Sequence, residues 1–423
     1  MPISSTIAAP RSLTREQQMR KAALQIFCDS LQEACFSLER LSGTEWPRLL
    51  YWLDTSGLAL YFFDRLNELN RVDVLPLYVF ERLQQNLVDN TARIEGLIAE
   101  MSHIHREFQR DSLCYATVKG FSLWPCSVPK PELRSQLDLD FLVAEASARE
   151  ARRILESRGY HLRAISGRSW EFKKNEMLGT SLRDLYKDVP FRSVELHIES
   201  SAKGQPSLLA RAEMHTFRGI DMPVLSPADQ FLGQGMHAFK HICSEFSRTA
   251  HLLEFRRHVI ARSDDSAFWS QVRACAETSP KAGLGLGVVA LLITQVMGTF
   301  APWSFASWTI DRLPACARLW VQLYGEQNVF ASFPGSKLYL LLQKELDASG
   351  VPARRSLRQA LLPLSLPPVI VHASANEKLP MRLRRYRAQL RFILFRIRFH
   401  TVEGLRYWRE SFRWQQHMNE VAP

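Results

Sequence analysis

Apolar residues recur at helical spacing through the first quarter of the chain. Leu24, Phe27, Cys28, Leu31, Cys35 and Leu38 form one series, and Val79, Leu83, Leu87, Ile94, Leu97 and Ile98 another. Each series puts its apolar side chains on one helix face. Ser42-Gly43-Thr44 and Asn70-Arg71-Val72 interrupt the pattern as turn-forming clusters do. Residues 15–111 are therefore expected to be a helical N-terminal region. Residues 1–14 are expected to be a disordered lead-in, since they contain no apolar run of the signal-peptide kind.

The period shortens at residue 112. Cys114-Tyr115-Ala116-Thr117-Val118 is a β-prone run ending at Lys119-Gly120, and a loop with Pro125, Pro129 and Pro131 follows. Leu137-Asp138-Leu139-Asp140-Phe141-Leu142-Val143 then alternates strictly, as a strand with one buried face does. Residues 146–158 read as a helix closed by Gly159. Residues 160–165, 169–173 and 193–198 read as further strands, so 112–200 is a small α/β unit.

Helical spacing returns after Pro206, with helices predicted over 227–243, 249–262, 267–277, 283–298 and 306–324, giving a helical C-terminal domain at 201–345. Residues 346–423 read as a linker, Pro-rich at 361–371, and an amphipathic tail with Leu383, Tyr386, Leu390, Ile393 and Ile397 on one face. The fold class is α+β: a small mixed-sheet core embedded in a mostly helical protein.

Ala282–Ile310 carries no charged residue, and its length alone would permit a membrane crossing. Gly283, Gly285, Gly287, Gly298 and Pro302 interrupt it, and Thr294 and Gln295 lie near its middle. A buried helix is the better reading.

The net charge of +11 is localised. Residues 378–413 hold eleven Lys and Arg against Glu403 and Glu410, so nine of the eleven excess charges sit there. The remainder is close to neutral, which excludes a nucleic-acid-binding body and directs attention to the tail. There the arginines alternate with Tyr386, Phe392, Phe395, Phe399, Tyr407, Trp408, Phe412 and Trp414, a pattern suited to an anionic membrane surface or RNA. The seven cysteines are scattered and include no Cys-x-x-Cys. This excludes a disulfide scaffold and a cysteine-rich zinc module, and the reducing compartment it implies is cytoplasmic, with a peripheral position at the inner membrane surface open to the tail.

The chemistry gathers in the α/β unit. Asp138 and Asp140 share one face of their strand while Leu137, Leu139 and Phe141 take the other. Adjacent carboxylates repel unless a cation lies between them, and hard oxygen donors favour magnesium or manganese. Glu195 and His197 share a face of a later strand, with Val194, Leu196 and Ile198 opposite. Lys119-Gly120-Phe121-Ser122 ends a strand, where backbone N–H groups and the Ser122 hydroxyl suit phosphate oxygens. His237 and His241 stand one helical turn apart, with Cys243, His251 and His258 nearby in sequence. Zinc ligands can take that spacing, but no Glu follows His237 in the metalloprotease manner, and a structural helix packed against the α/β unit, lining its cleft, is the better reading. No Walker-type loop is present, which argues against P-loop phosphoryl transfer.

These elements in order resemble the polymerase-β-like nucleotidyltransferases, and most closely a bacterial family of uncharacterised nucleotidyltransferases. The matching positions are Val118-Lys119-Gly120, Arg134, Asp138-Leu139-Asp140-Phe141-Leu142-Val143, Gly159-Tyr160, Glu195-Leu196-His197 and His237-Ala238-Phe239-Lys240-His241. They span roughly residues 45–300. Two features depart from the superfamily: its Gly-Gly/Ser is here Gly120-Phe121-Ser122, and its third acid, commonly Asp, is Glu195. The resemblance implies a polymerase-β-like core that moves a nucleoside monophosphate from an NTP to a hydroxyl acceptor, with two Mg²⁺ or Mn²⁺ ions and release of pyrophosphate. The acceptor would be a small molecule, glycan, peptide or protein. Asp138, Asp140 and Glu195 would be the catalytic metal ligands. Gly120 and Ser122 would contact phosphates, and Lys119 or Arg134 would offset developing charge. Two rivals stand beside this reading: an inactive nucleotide-binding relative, and an adaptor acting through the basic tail.

Overall fold

The computed structural model describes residues 12–28, 31–175, 184–189, 192–199, 207–348, 356–362 and 379–421. Most of the expected lead-in and most of the Pro-rich linker lie outside these residues.

Four helices open the chain: α1 (Arg15–Gln25), α2 (Leu31–Glu39), α3 (Glu45–Ser56) and α4 (Ala59–Glu68). The long α5 (Leu77–Arg110) follows. Its first half packs Val79 and Leu83 into the helical core, and its second half packs Ile94, Leu97, Met101, Ile104 and Phe108 beneath a sheet. One continuous helix therefore ties the two cores together.

The sheet comprises β1 (Tyr115–Val118), β2 (Asp138–Val143), β3 (His161–Ser166), β4 (Ser169–Lys174), β5 (Arg192–Ile198), β6 (Glu213–Phe217) and β7 (Ile220–Val224) in the order β3-β4-β5-β2-β1-β7-β6. It is mixed: β2–β5 and β1–β7 pair in parallel and the other neighbours antiparallel. With the surrounding helices this is an α+β fold. Helix α6 (Ala148–Ser157) joins α5 on one face, over Leu139, Phe141, Val143, Val194 and Leu196. The alternation of β2 and β5 leaves Asp138, Asp140, Glu195 and His197 on the other face.

The sheet runs past the expected limit of the α/β unit at residue 200. The β6–β7 hairpin joins it through β1. Pro223 stands inside β7, and residues such as Met214-His215-Thr216 alternate too weakly to announce a half-buried strand.

The helical part continues with α7 (Pro227–Ile242), α8 (Thr249–Ala261), α9 (Ser266–Glu277), α10 (Pro280–Met297), α11 (Trp303–Ala306), α12 (Ala315–Val329), α13 (Tyr339–Ala348), α14 (Leu357–Leu361) and α15 (Leu379–Val421). The helix expected over 306–324 is instead split, because Pro314 lacks an N–H and opens α12 as its N-cap. In α10, Leu286, Val288, Val289, Leu292 and Ile293 are wholly buried in the helical core. Each contributes about 2 kcal/mol by leaving water, which accounts for the apolar run without lipid. Among the described residues no helix is long and apolar enough to cross a membrane.

The basic tail is partly docked. Trp414 Nε1 donates to Glu345 Oε1 at 3.0 Å and Arg406 Nη2 to Gln327 Oε1 at 2.7 Å. Tyr407 and Trp414 are buried, whereas Leu383, Leu390, Leu394 and Ile397 remain exposed.

Candidate active site

Strand register builds the centre of the site. In the parallel β2–β5 pair Asp138 lies beside Ser193, Asp140 beside Glu195 and Leu142 beside His197. Neighbouring strands sit about 4.8 Å apart, so the Asp140 and Glu195 carboxyls are brought together on the face away from the α5–α6 core. Val118 pairs with Asp140, and Lys119, the next residue, reaches across to them.

Lys119 supplies the positive charge that this acidic pair requires. Its Nζ lies 2.6 Å from Asp140 Oδ1 and 3.6 Å from Glu195 Oε2. His197 Nε2 donates to Asp140 Oδ1 at 2.9 Å and stands 3.5 Å from Glu195 Oε2. Ser169 donates to Glu195. Burial alone would raise the Asp140 carboxyl, but the His197 hydrogen bond and the Lys119 ammonium outweigh it and hold it below its usual value. Burial likewise disfavours the Lys119 ammonium, yet Asp140 wins and raises it.

Asp138 shares the face but stands outside the tight group formed by Asp140, Glu195 and His197, whose ligand atoms lie within 4.8 Å of one another. Burial first, and Asp140 second, push its carboxyl up to about 6. It makes no side-chain hydrogen bond or ion pair among the described residues.

The turn after β1 is held by conformation and close approach. Lys119 has φ +57° and Gly120 φ +45°, a region costly for side-chain-bearing residues. A Cβ on Gly120 would meet Gln136 Nε2 at 2.5 Å, and that amide donates to the Asp138 carbonyl at 2.8 Å. Ser122 is buried, with its hydroxyl donating to the Lys119 carbonyl at 2.8 Å. It therefore fixes the turn directly. Arg134 Nε pairs with Glu254 Oε1 at 3.0 Å, and Tyr61 donates to the same oxygen at 3.0 Å. Burial would raise Glu254, but Arg134 and His251 hold it ionised, down to about 2.

Two cavities flank the acidic pair along this face. One, of about 230 Å³, is walled by Lys119, Ser122, Arg134, Leu142 and His197 from the α/β unit and by Gln234, His237, His251 and Glu254 from α7 and α8. The other, of about 250 Å³, is walled by Asp138, Ser169, Glu171, Ser193 and Glu195. Lys119 lines the first and its ion-pair partner Glu195 the second.

Of the seven residues singled out in the sequence, Lys119, Asp140 and Glu195 are in direct contact. Asp138 and Gly120 adjoin them, Ser122 braces the turn, and Arg134, paired with Glu254, lines the 230 Å³ cavity. Sequence reasoning put His197 on the same strand face as Glu195 but gave it no role, and the structure bonds it to Asp140. It left out Glu254, which only the packing of α8 brings to Arg134.

An oxygen-liganded divalent cation fits this set on its chemistry: three carboxyls from two paired strands, one of them with no hydrogen-bond partner among the described residues. Asp140 and Glu195 would hold it, with His197 Nε2 in the same group and Asp138 on the same strand face.

Comparisons with known proteins bear on the family. No curated protein matches the chain. An antigenic nucleotidyltransferase-like protein from Paracoccidioides brasiliensis has 11% identity and a TM-score of 0.28 over 48% of this chain and 91% of its own, a likeness too weak to argue from. The model of a family described as uncharacterised nucleotidyltransferase matches residues 42–293, a span from α3 through the sheet, the acidic pair and both cavities into α10. The chain belongs to that uncharacterised nucleotidyltransferase family.

Proposed function

We propose that the protein transfers a nucleoside monophosphate from an NTP to a hydroxyl acceptor. The observation that carries this reading is the register pairing of Asp140 with Glu195, with Asp138 on the same face and the Lys119-Gly120 turn beside them. In the reaction the acceptor oxygen forms a bond to the α-phosphorus, the bond from that phosphorus to the bridging oxygen breaks, and pyrophosphate leaves with the electron pair. Magnesium or manganese at the three carboxyls would polarise the phosphate oxygens and acidify the acceptor hydroxyl.

The chain's own groups do the rest. Glu195, about a third exposed, takes the acceptor proton. Lys119 and Arg134 face the 230 Å³ cavity and offset charge on the departing phosphates. Leu123, Leu142, Leu208 and Leu225 in the same wall suit a nucleobase. The acceptor enters through the cavity that Asp138 and Glu195 line. Ser122 acts by holding the Lys119 carbonyl. The units follow the same division: helical 15–111, a catalytic sheet from 112 extended to 224 by its hairpin, and helices beyond.

The test is pyrophosphate release from each NTP with Mg²⁺ or Mn²⁺, comparing wild type with the double variant Asp138→Asn, Asp140→Asn. Release from wild type alone supports transfer; equal signals leave an inactive nucleotide-binding relative.

A second reading concerns α15. Its exposed Leu383, Leu390, Leu394 and Ile397 lie among arginines, ahead of the stretch from His400 to Trp414 that bonds the helical core. That arrangement favours contact with an anionic membrane surface.

A further inference from the structure

Opposite the carboxylates, three imidazoles face one another. His237 and His241 lie one turn apart on α7 and His251 comes from α8, with ring centroids 4.6, 4.8 and 4.7 Å apart. Their nearest nitrogens lie within 4.8 Å of one another. His237 and His251 also line the 230 Å³ cavity.

The hydrogen bonds around the rings fix which nitrogens are available. His241 Nδ1 donates to the Phe246 carbonyl at 2.8 Å, and His251 Nδ1 faces Glu254 Oε2 at 3.5 Å. Both rings thus keep a free Nε2 lone pair, held from behind by a carbonyl in one case and a carboxylate in the other, as metal-bound histidines are. His237 has no hydrogen-bond partner among the described residues. Burial, followed by the neighbouring histidines, keeps His237 neutral, and burial does the same for His241 and His251. Three imidazoles with ligand nitrogens this close together, two of them at the wall of a cavity, form a set of neutral nitrogen donors from two helices.

We propose that His237, His241 and His251 bind a divalent transition metal of the zinc class, with an open coordination position turned into the cavity. Imidazole suits zinc and its neighbours over magnesium. Tetrahedral bonds of about 2.05 Å place ligand nitrogens roughly 3.3 Å apart, so the rings close by up to about 1.5 Å on binding. The cations nearby, Lys119, Lys240 and Arg248, oppose a doubly charged ion; ionised Glu254 and an anionic oxygen in the fourth position offset them. Cys243 lies outside the group of nitrogens within 4.8 Å of one another. His258 is engaged elsewhere, with Gln234 and Ser127. The site goes beyond the transferase reading and stands whether or not that reading holds.

The test uses the full chain, stripped with a chelator and titrated with Zn²⁺ against a chromophoric competitor, and with Co²⁺ for visible d–d absorption. Wild type should take one tight Zn²⁺ per chain and give the bands of a nitrogen-rich four-coordinate site, shifted by inorganic phosphate. The double variant Asp140→Asn, Glu195→Gln should retain that ion. His241→Ala and His251→Ala should weaken it about 100-fold or more. Absence of tight Zn²⁺ or of Co²⁺ bands in wild type overturns the site without any variant. So does loss of the ion in the carboxylate variant, or unchanged affinity in histidine variants that keep the native melting transition. A Co²⁺ spectrum indifferent to phosphate overturns the open position.

Discussion

Lys119 and His197, which bond the carboxylate cluster on the sheet, and His237 and His251 of the histidine cluster on the helices line the same cavity, yet the two clusters are built in opposite ways. Strand register brings Asp140 and Glu195 together, and the charge they concentrate is balanced from within by Lys119. Helical spacing and the packing of α8 on α7 bring the histidines together, and their rings stay neutral. A cation approaching the first cluster competes with an ammonium bonded to the ligand carboxylate itself; one approaching the second meets neutral imidazoles, with Lys119, Lys240 and Arg248 acting on it from their surroundings. Ligand charge, more than position in the cavity, separates a hard-metal site from a borderline-metal site.

The largest effect that would sharpen this contrast is on activity. Asp140→Asn removes the carboxylate that both Lys119 and His197 address, and should lower pyrophosphate release about 10³-fold while leaving Zn²⁺ content unchanged. Metal analysis and kinetics on one preparation check both halves.

Acid tests the sheet side next. His105, buried beneath Phe141 and bonded to Tyr115 and Thr117, has its pKa lowered by burial from 6.5 to about 4. Above pH 6.5 both states are neutral there. Between 6.5 and 4 the unfolded chain binds the proton and the native one does not, so stability falls as pH drops through that window, by up to about 3 kcal/mol. Denaturant titrations should show this slope in wild type and a flatter one in His105→Gln.

Lys119→Ala tests the internal counter-charge. Activity should fall about 10- to 100-fold. The metal-free melting temperature should also drop, because Asp140 and Glu195 are left facing each other, and Mg²⁺ should raise it more than in wild type. An Mg²⁺ shift no larger than in wild type would argue that Lys119 is not the stand-in for the cation.

Asp138→Asn should do the reverse to stability. At pH 7 the carboxyl is ionised in the unfolded chain and largely so in the native state, but only in the native state do burial and Asp140 disfavour that charge. The variant should therefore gain up to about 2 kcal/mol in chelator while losing activity.

The smallest effect tests whether α15 stands apart from both clusters. Leu390→Glu with Leu394→Glu should reduce co-sedimentation with anionic vesicles severalfold and leave turnover unchanged. Binding to RNA in place of vesicles would reassign the tail's partner.

Much of this site could be read from the chain. The Asp138/Asp140 alternation, the Lys119-Gly120 turn and the Glu195/His197 pair are local patterns, because a strand's period of two fixes which side chains share a face. The role of Ser122 was not legible: a hydroxyl at a turn reads equally as a phosphate donor or as a brace for Lys119. Nor was the β6–β7 hairpin, whose pairing with β1 is made across the fold, or the docking of Trp414 on Glu345, two residues 69 positions apart.

The sequence by itself determined the α+β class, the faces of β2 and β5 and the concentration of charge in the tail. These follow from periodicity and composition along short stretches. The tertiary structure alone decided that β2 and β5 are parallel neighbours, that Lys119 lies between two acids and that His251 completes a triad with His237 and His241. Those are contacts between distant segments, selected when the apolar faces of α5, α7 and α8 are buried, and no local pattern encodes which partners such burial brings together.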